Sequence, residues 1–144
     1  MYENVVVAID LSDASEKVIN KALELVAGDT SKLALVHIVE PFPPSWGMGA
    51  YAVDPFEFQQ RIVDYAQTRV SEICSKAGIG PSQQHVSLGI AVQKIRKLTK
   101  ELEADAIVIG SHGHGGWKLL LGSTSNKMLH GATCDVLTVH IAEG

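Results

Sequence analysis

The hydrophobic residues of this chain form short continuous runs separated by segments with helical periodicity. Residues 5–9 are all apolar, and residues 33–39 are apolar apart from His37, a pattern typical of strands covered on both faces. Asp13 and Glu16 have the spacing of a capping box, which predicts the start of a helix. After them, apolar side chains recur at helical intervals at Val18, Ala22, Leu25 and Val26. The pattern therefore predicts a β-α-β unit.

The same alternation continues along the rest of the chain. Residues 41–55 are rich in proline, glycine, serine and aromatic side chains, which predicts a long loop. A long helix follows, and its apolar face is predicted to carry Ile62, Tyr65, Ala66, Val70, Ile73 and Ala77. The remaining predicted elements are a strand at 84–88, an amphipathic helix carrying Val92, Ile95, Leu98, Thr99 and Leu102, a strand at 105–109, a short helix at 123–130 and a strand at 136–141.

This alternation predicts a single α/β domain over residues 1–144, with an open parallel sheet and helices on both faces. Sheets of this kind bind ligands beyond the carboxyl ends of their strands, where the strand order reverses. Asp10 ends the first predicted strand, and Gly110 ends the fourth. Both residues border one crevice if these strands are neighbours, which periodicity alone does not establish.

Composition and charge exclude several classes of function. The chain is 46% hydrophobic and 19% charged, with a formal charge of -4, so it offers no cationic field for nucleic acid or a membrane surface. No apolar run approaches the roughly 18 residues of a membrane span, and the amino terminus lacks the basic start of a secretory signal. We therefore expect a cytoplasmic protein in which Cys74 and Cys134 are reduced, buried thiols.

The strongest chemical signal is a glycine-rich segment after the fourth strand. Four of the seven residues from 110 to 116 are glycines, which let the main chain approach a ligand and direct successive N–H groups at one anion. Ser123, Thr124 and Ser125 add hydroxyl donors at the start of a predicted helix, where negative charge is favoured. The pattern indicates a phosphate site, and the alternative is a strand-to-helix connection without a ligand.

Other α/β chemistries lack their motifs in this sequence. There is no GxxxxGK[ST] phosphate loop, no GxGxxG turn after the first strand and no GxSxG elbow. Asp10 also lacks the second carboxylate that a receiver domain would place at the end of the third strand. His112 and His114 have no third ligand at a recognised spacing, so we expect no protein metal site there.

Several stretches of the chain together resemble the universal stress protein family. They are Val7-Ala8-Ile9-Asp10 followed by Ser12 and Ser15, the run from Asp105 to Gly113, the leucines before Gly122-Ser123, and the closing run from Cys134 to Val139. The likeness covers essentially the whole chain in the order of the family.

The resemblance implies a Rossmann-like five-stranded sheet in the order 3-2-1-4-5 and an ATP site over the first and fourth strands. It implies that Asp10 meets the ribose or its polar surroundings and that the backbone around Val39 borders the adenine. The full set of expected binding residues is Ala8, Ile9, Asp10, Val39, Gly110, Ser111, His112, Gly113, His114, Gly122, Ser123, Thr124 and Ser125. Any Mg²⁺ would be held mainly by the phosphates.

One departure from the family concerns the length of this segment. ATP-binding members place nine residues between the second and third glycines of their motif, whereas eight residues, 114–121, separate Gly113 from Gly122 here. One residue fewer shortens the reach of the loop by up to about 3.5 Å, so the geometry around a triphosphate could differ.

The last strand predicts a second function. An apolar terminal strand is an aggregation hazard unless it is covered, so we expect a homodimer that pairs through Val136, Leu137, Thr138, Val139 and Ile141. The resemblance implies the same contact. The leading hypothesis is a dimeric stress-response signalling protein that binds ATP and hydrolyses it slowly if at all. The alternatives are a dimeric interaction module that binds no nucleotide, and an ATPase or nucleotidyl transferase that uses His112 or His114.

Overall fold

The computed structural model describes residues 2–41, 55–110 and 133–140. Within these ranges it contains five strands and three α-helices. The strands are β1 (Val5–Ala8), β2 (Leu33–Val39), β3 (Gln84–Leu88), β4 (Ala106–Gly110) and β5 (Asp135–Val139). The helices are α1 (Ser15–Leu25), α2 (Pro55–Ala77) and α3 (Ala91–Glu101), with 3-10 turns at Thr30–Lys32 and Pro81–Gln83. The predicted alternation of strands and helices is confirmed from β1 to β4, and the strand predicted near the end of the chain is present as β5.

The five strands form one sheet in the order β3-β2-β1-β4-β5, and every pairing is parallel. The central strand β1 pairs with β2 from Val5 opposite Leu33, and with β4 from Val5 opposite Ala106. The chain therefore steps outwards from β1 to β3 and then crosses back to β4. This confirms the Rossmann-like fold and its reversal point beside β1.

Two hydrophobic clusters cover the two faces of the sheet. Because side chains of a strand alternate between faces, Val5 and Val7 pack with α1 and α2, whereas Val6 and Ala8 pack with α3. All residues of β1 are buried, which explains why its sequence is apolar without interruption. Among the helices that the structure describes, none is long and apolar enough to cross a membrane.

The amino-terminal ends of three strands are tied together by side chains. The Asp105 carboxylate accepts hydrogen bonds from the Glu3 N–H at 2.8 Å and the Asn4 N–H at 3.0 Å. The Tyr2 hydroxyl donates to Asp135 at 2.6 Å. These contacts align the starts of β1, β4 and β5, and their register in turn determines which residues meet at the opposite end of the sheet.

Some local predictions were wrong. Tyr65 is 65% exposed, because the buried stripe of α2 runs through Ala66, Val70 and Cys74 at intervals of four residues. α1 begins at Ser15 after Ala14, with no side-chain cap, so Asp13 and Glu16 do not form a capping box. Cys74 is buried as expected, and burial raises the pKa of its thiol to about 11, whereas Cys134 is only partly buried.

Candidate functional site

The carboxyl ends of β1 and β4 lie side by side. Ala8 pairs with Ile109, so Asp10 and Gly110 leave neighbouring strands at the same edge of the sheet. Gly110 also pairs with Val139 of β5. The sequence predicted convergence of Asp10 and Gly110 only if the two strands were neighbours, and the strand order meets that condition.

Asp10 organises the turn between β1 and α1. Its Oδ1 accepts a hydrogen bond from the Ser12 N–H at 3.0 Å, and the Ser12 hydroxyl oxygen accepts one from the Ala14 N–H at 3.3 Å. Between them Leu11 has a φ of 66°, a left-handed conformation that is unfavourable for a branched side chain. Among the described residues, Oδ2 of Asp10 has no hydrogen-bond partner. One carboxylate oxygen thus holds the turn, and the other is not used by this part of the chain.

His37 connects β2 to the end of β1. The His37 side chain is buried, and its Nδ1 lies 2.8 Å from the Ile9 carbonyl oxygen. Because a carbonyl only accepts, Nδ1 carries the proton and the neutral ring keeps an acceptor at Nε2. Burial lowers the pKa of His37, against the opposing effects of the Ile9 carbonyl and the Asp10 carboxylate. His37 therefore acts as a neutral hydrogen-bond donor and holds the peptide group between Ile9 and Asp10 in place.

The end of β2 is tied to the turn that follows β3. The Gly89 N–H donates to the Val39 carbonyl at 3.0 Å, and the Ala91 N–H at the start of α3 donates to Oε1 of Glu40 at 3.1 Å. A carbonyl oxygen has two lone pairs, so Val39 retains one acceptor position. At Val39, where an adenine contact is expected, the backbone is held in place and the side chain is buried, so the backbone is the part that faces the edge.

The structure places five of the expected binding residues. Ala8, Ile9, Asp10, Val39 and Gly110 all lie at the carboxyl edge of the three central strands. The side chains of Ala8 and Ile9 are buried in opposite hydrophobic clusters, and the Ile9 N–H donates to the Val36 carbonyl at 3.1 Å. The remaining eight, Ser111, His112, Gly113, His114, Gly122, Ser123, Thr124 and Ser125, lie outside the described residues, as do 42–54 of the predicted loop, the predicted helix at 123–130 and Ile141.

Sequence reasoning missed the role of His37 and of Glu40. His37 interrupts an otherwise apolar strand, and a polar residue at such a position signals a buried hydrogen bond whose partner the sequence does not identify. Glu40 follows β2 directly, yet its function as the acceptor for the first N–H of α3 depends on the spatial position of that helix.

A cleft of about 580 Å³ lies between α1 and α2 and begins at the turn that Asp10 holds. Ser12, Asp13 and Glu16 line one side, and Arg69 and Glu72 line the other. Arg69 and Glu72 form an ion pair at 2.8 Å. Acids outnumber bases among these side chains, so the charge of this cleft does not favour a phosphate. No group of three His, Cys, Asp or Glu within the described ranges is placed to hold a metal ion.

Comparison with known proteins agrees with this architecture. The sequence model of the universal stress protein family matches residues 1–140. The chain is 36% identical over 143 residues to universal stress protein A homolog 1 of Coxiella burnetii, an alignment that covers 99% of each protein. The chain belongs to the universal stress protein family.

Solved structures of this family share the fold. Universal stress protein UspA from Lactobacillus plantarum superposes with a TM-score of 0.64 at 19% identity, covering 96% of this chain and 99% of that one. A universal stress protein in complex with cAMP superposes with a TM-score of 0.55 at 25% identity, covering 96% and 97% of the two chains. This universal stress protein therefore matches solved family members over nearly its whole length.

The buried His37 predicts a pH dependence of stability. Because burial lowers the pKa of His37 in the folded chain, the unfolded chain takes up a proton at residue 37 near about pH 6.5, whereas the folded chain takes it up only at a lower pH. Stability from this site is therefore complete above that pH and falls as the pH decreases, by at most about 1.4 kcal/mol per pH unit. The free energy of unfolding, measured with urea at a series of pH values between 8 and 5, should change less steeply with pH for His37→Gln than for the wild type. An equal dependence of the free energy of unfolding on pH in the two proteins would show that His37 does not contribute to it.

Proposed function

We propose that this chain binds an adenine nucleotide at the carboxyl ends of β1 and β4. In this proposal Asp10 accepts a hydrogen bond from the ribose, and the main chain after Gly110 surrounds the phosphates. The observation that carries it is the adjacency of the two strands, which brings the Asp10 turn beside the start of the glycine-rich segment. The complex of a 25% identical structural neighbour with cAMP, itself an adenine nucleotide, supports the choice of ligand.

The chemistry of the edge favours a ligand with hydroxyls at one end and anionic groups at the other. A carboxylate accepts hydrogen bonds but repels phosphate, so Asp10 suits a ribose hydroxyl. Glycine main chain at residues 110, 113, 115 and 116 can offer N–H groups to phosphate oxygens without a side chain intervening. Gly122 and the hydroxyls of Ser123, Thr124 and Ser125 complete the proposed phosphate site, with Mg²⁺ held by the phosphates.

We further propose that the bound nucleotide acts as a signal and is hydrolysed slowly if at all. Rapid phosphoryl transfer needs cations that neutralise charge in the transition state and a group that positions the attacking water. The ionisable side chains that directly follow the described ends of β1, β2 and β5 are Asp10, Glu40 and His140, with the buried His37 behind Asp10, and no lysine or arginine is among them. The cytoplasmic location expected from the sequence remains a prediction.

Replacement of Asp10 tests the nucleotide site. Asp10→Ala removes the ribose acceptor and the anchor of the turn, and it should weaken ATP binding about tenfold or more in titration calorimetry with Mg²⁺. Asp10→Asn keeps an oxygen that can accept from Ser12 and should lose less affinity. Asp13→Ala is the matched control, since it removes an exposed carboxylate three residues away and should bind ATP as the wild type does.

The control also separates specific contact from general charge. Loss of any carboxylate reduces repulsion of an anionic ligand, so weaker binding in Asp10→Ala would run against that general effect. If Asp10→Ala and Asp13→Ala bind ATP with equal affinity, Asp10 does not belong to the nucleotide site. Failure of the wild type to bind ATP, ADP or cAMP would contradict the proposal and favour an interaction module that binds no nucleotide.

We also propose that two copies pair through β5. This strand is at one edge of the sheet, and Leu137 is 38% exposed on it. Pairing about a two-fold axis would cover the free backbone groups of the strand and this apolar side chain. Val136, Thr138 and Val139 belong to the same proposed contact.

Matched substitutions on the two edge strands test the dimer. Leu137→Asp on β5 should convert the dimer to a monomer in light scattering at micromolar concentration, because it places two carboxylates at a symmetric interface. Leu88→Asp on β3 is the control, since Leu88 is a leucine of similar exposure, 36%, on the opposite edge of the sheet. A dimer that persists in Leu137→Asp but dissociates in Leu88→Asp would place the interface at β3 instead.

A further inference from the structure

The outer edge of β3 is open in the described part of the molecule. Every residue of β3 is at least partly exposed, in contrast to the fully buried β1. The Gly89 N–H points at β2, where it donates to Val39. Because backbone groups of a strand alternate in direction, His85 and Ser87 also face β2, whereas the N–H and C=O groups of Val86 and Leu88 point outwards.

The helix next to this edge is strongly cationic. α3 carries Lys94, Arg96, Lys97 and Lys100 against one acid, Glu101, so four of the twelve lysines and arginines of a protein with net charge -4 lie in 11 residues. The described ion pairs involve Lys21, Lys32 and Arg69. None of the three α3 lysines forms an ion pair with a described residue. These three lysines therefore carry positive charge that no acid in the described ranges pairs.

A groove of about 330 Å³ joins the cationic helix to the open edge. The buried residues Val36 and Ile38 of β2 form its apolar floor, His85 and Ser87 stand on the β3 side, and Lys94 and Lys97 stand on the α3 side. The stem of Lys94 passes close to Gly89, where an added Cβ would lie 2.6 Å from the lysine Cε. Because Gly89 has no side chain, the aliphatic part of the Lys94 side chain can lie beside the end of β3. Glu101 lies among the lining residues as an exposed acid.

We propose that the β3 edge and α3 form a docking surface for an extended acidic segment of a partner protein. The segment adds to β3 as a sixth strand, pairs its backbone with Val86 and Leu88, and turns acidic side chains towards Lys94 and Lys97. Strand addition to an exposed sheet edge is an established mode of peptide recognition. The added strand would lie about 4.8 Å from β3, and lysine side chains are long enough to reach across that spacing.

Charge and hydrogen bonding select this occupant over two others. A second copy of the chain pairing β3 with β3 about a two-fold axis would bring two cationic helices to the same face, and like charges oppose that contact. A nucleic acid or polyphosphate backbone offers acceptors to the lysines but no donors to the outward carbonyl groups of β3. A peptide backbone offers both.

The test uses the full chain and two blocked eight-residue peptides, one alternating glutamate with valine and the other glutamine with valine. The glutamate peptide should bind in a fluorescence polarisation titration, and raising the salt from 50 to 500 mM should weaken it several-fold. The glutamine peptide should bind at least about fivefold more weakly. On binding, the Val86 and Leu88 amides should become protected from hydrogen exchange by NMR.

Two variants separate the contributions of the helix and the strand. Lys94→Gln combined with Lys97→Gln should weaken the glutamate peptide about five- to tenfold, whereas the α1 control pair Lys17→Gln and Lys21→Gln should not. Val86→Pro removes one outward N–H without breaking the ladder to β2, a position where proline is tolerated. It should weaken both peptides, and Val86→Thr, which keeps the N–H, should not. Circular dichroism and urea unfolding of each variant check that the fold is intact.

Several results would overturn the proposal. One is that the glutamate peptide does not bind. Another is that it binds to the wild type without protecting the Val86 and Leu88 amides from hydrogen exchange. This second measurement uses the wild type, so it is informative even if Val86→Pro fails to fold. Equal affinity for the two peptides would show that Lys94 and Lys97 do not recognise acidic side chains. Tighter binding of polyphosphate that Val86→Pro leaves unchanged would assign the lysines to polyanions and not to a peptide strand.

Discussion

The structure depends on the burial of β1 between β2 and β4. A strand covered on both faces can carry no polar side chain without a partner, and Val5, Val6, Val7 and Ala8 satisfy this constraint. The parallel ladder uses the backbone groups within the sheet, so polar chemistry is confined to the ends of the strands. Since parallel strands all end in the same direction, their carboxyl ends collect at one edge.

The candidate site follows from this confinement. The first residue after the buried run that can carry charge is Asp10, and one of its carboxylate oxygens already holds the turn into α1. His37 is the exception within β2, and it satisfies its own hydrogen bond by fixing the Ile9 carbonyl. Glu40 holds the start of α3 in a similar way. These hydrogen bonds constrain the described backbone around Asp10, and a constrained backbone would lose less entropy on binding the proposed ligand.

Much of the fold could be predicted from the sequence because β1, β2 and β3 are marked by local pattern. The predicted bounds of β2 and β3 agree with the structure, whereas β1 ends one residue earlier than predicted and β4 and β5 each differ by a residue or two at their ends. The adjacency of β1 and β4 is a long-range property, and periodicity left it open until the family resemblance supplied the strand order. The exposed Tyr65 shows the same limit, since the pattern places it beside Ala66 on the predicted apolar face of α2 and only packing determines where the buried stripe through Val70 ends. The convergence of Asp10 and Gly110 at one edge follows once that adjacency is given, whereas the hydrogen bond of His37 could not be predicted because its partner is a main-chain carbonyl on another strand.

A crystal structure of the full chain grown with ATP and Mg²⁺ tests the central claim most directly. The account predicts the ribose within hydrogen-bond distance of Asp10 and the phosphates on main-chain N–H groups between residues 110 and 125. The account would be contradicted by a nucleotide bound elsewhere, or by a crevice beside Asp10 that the protein fills with its own side chains.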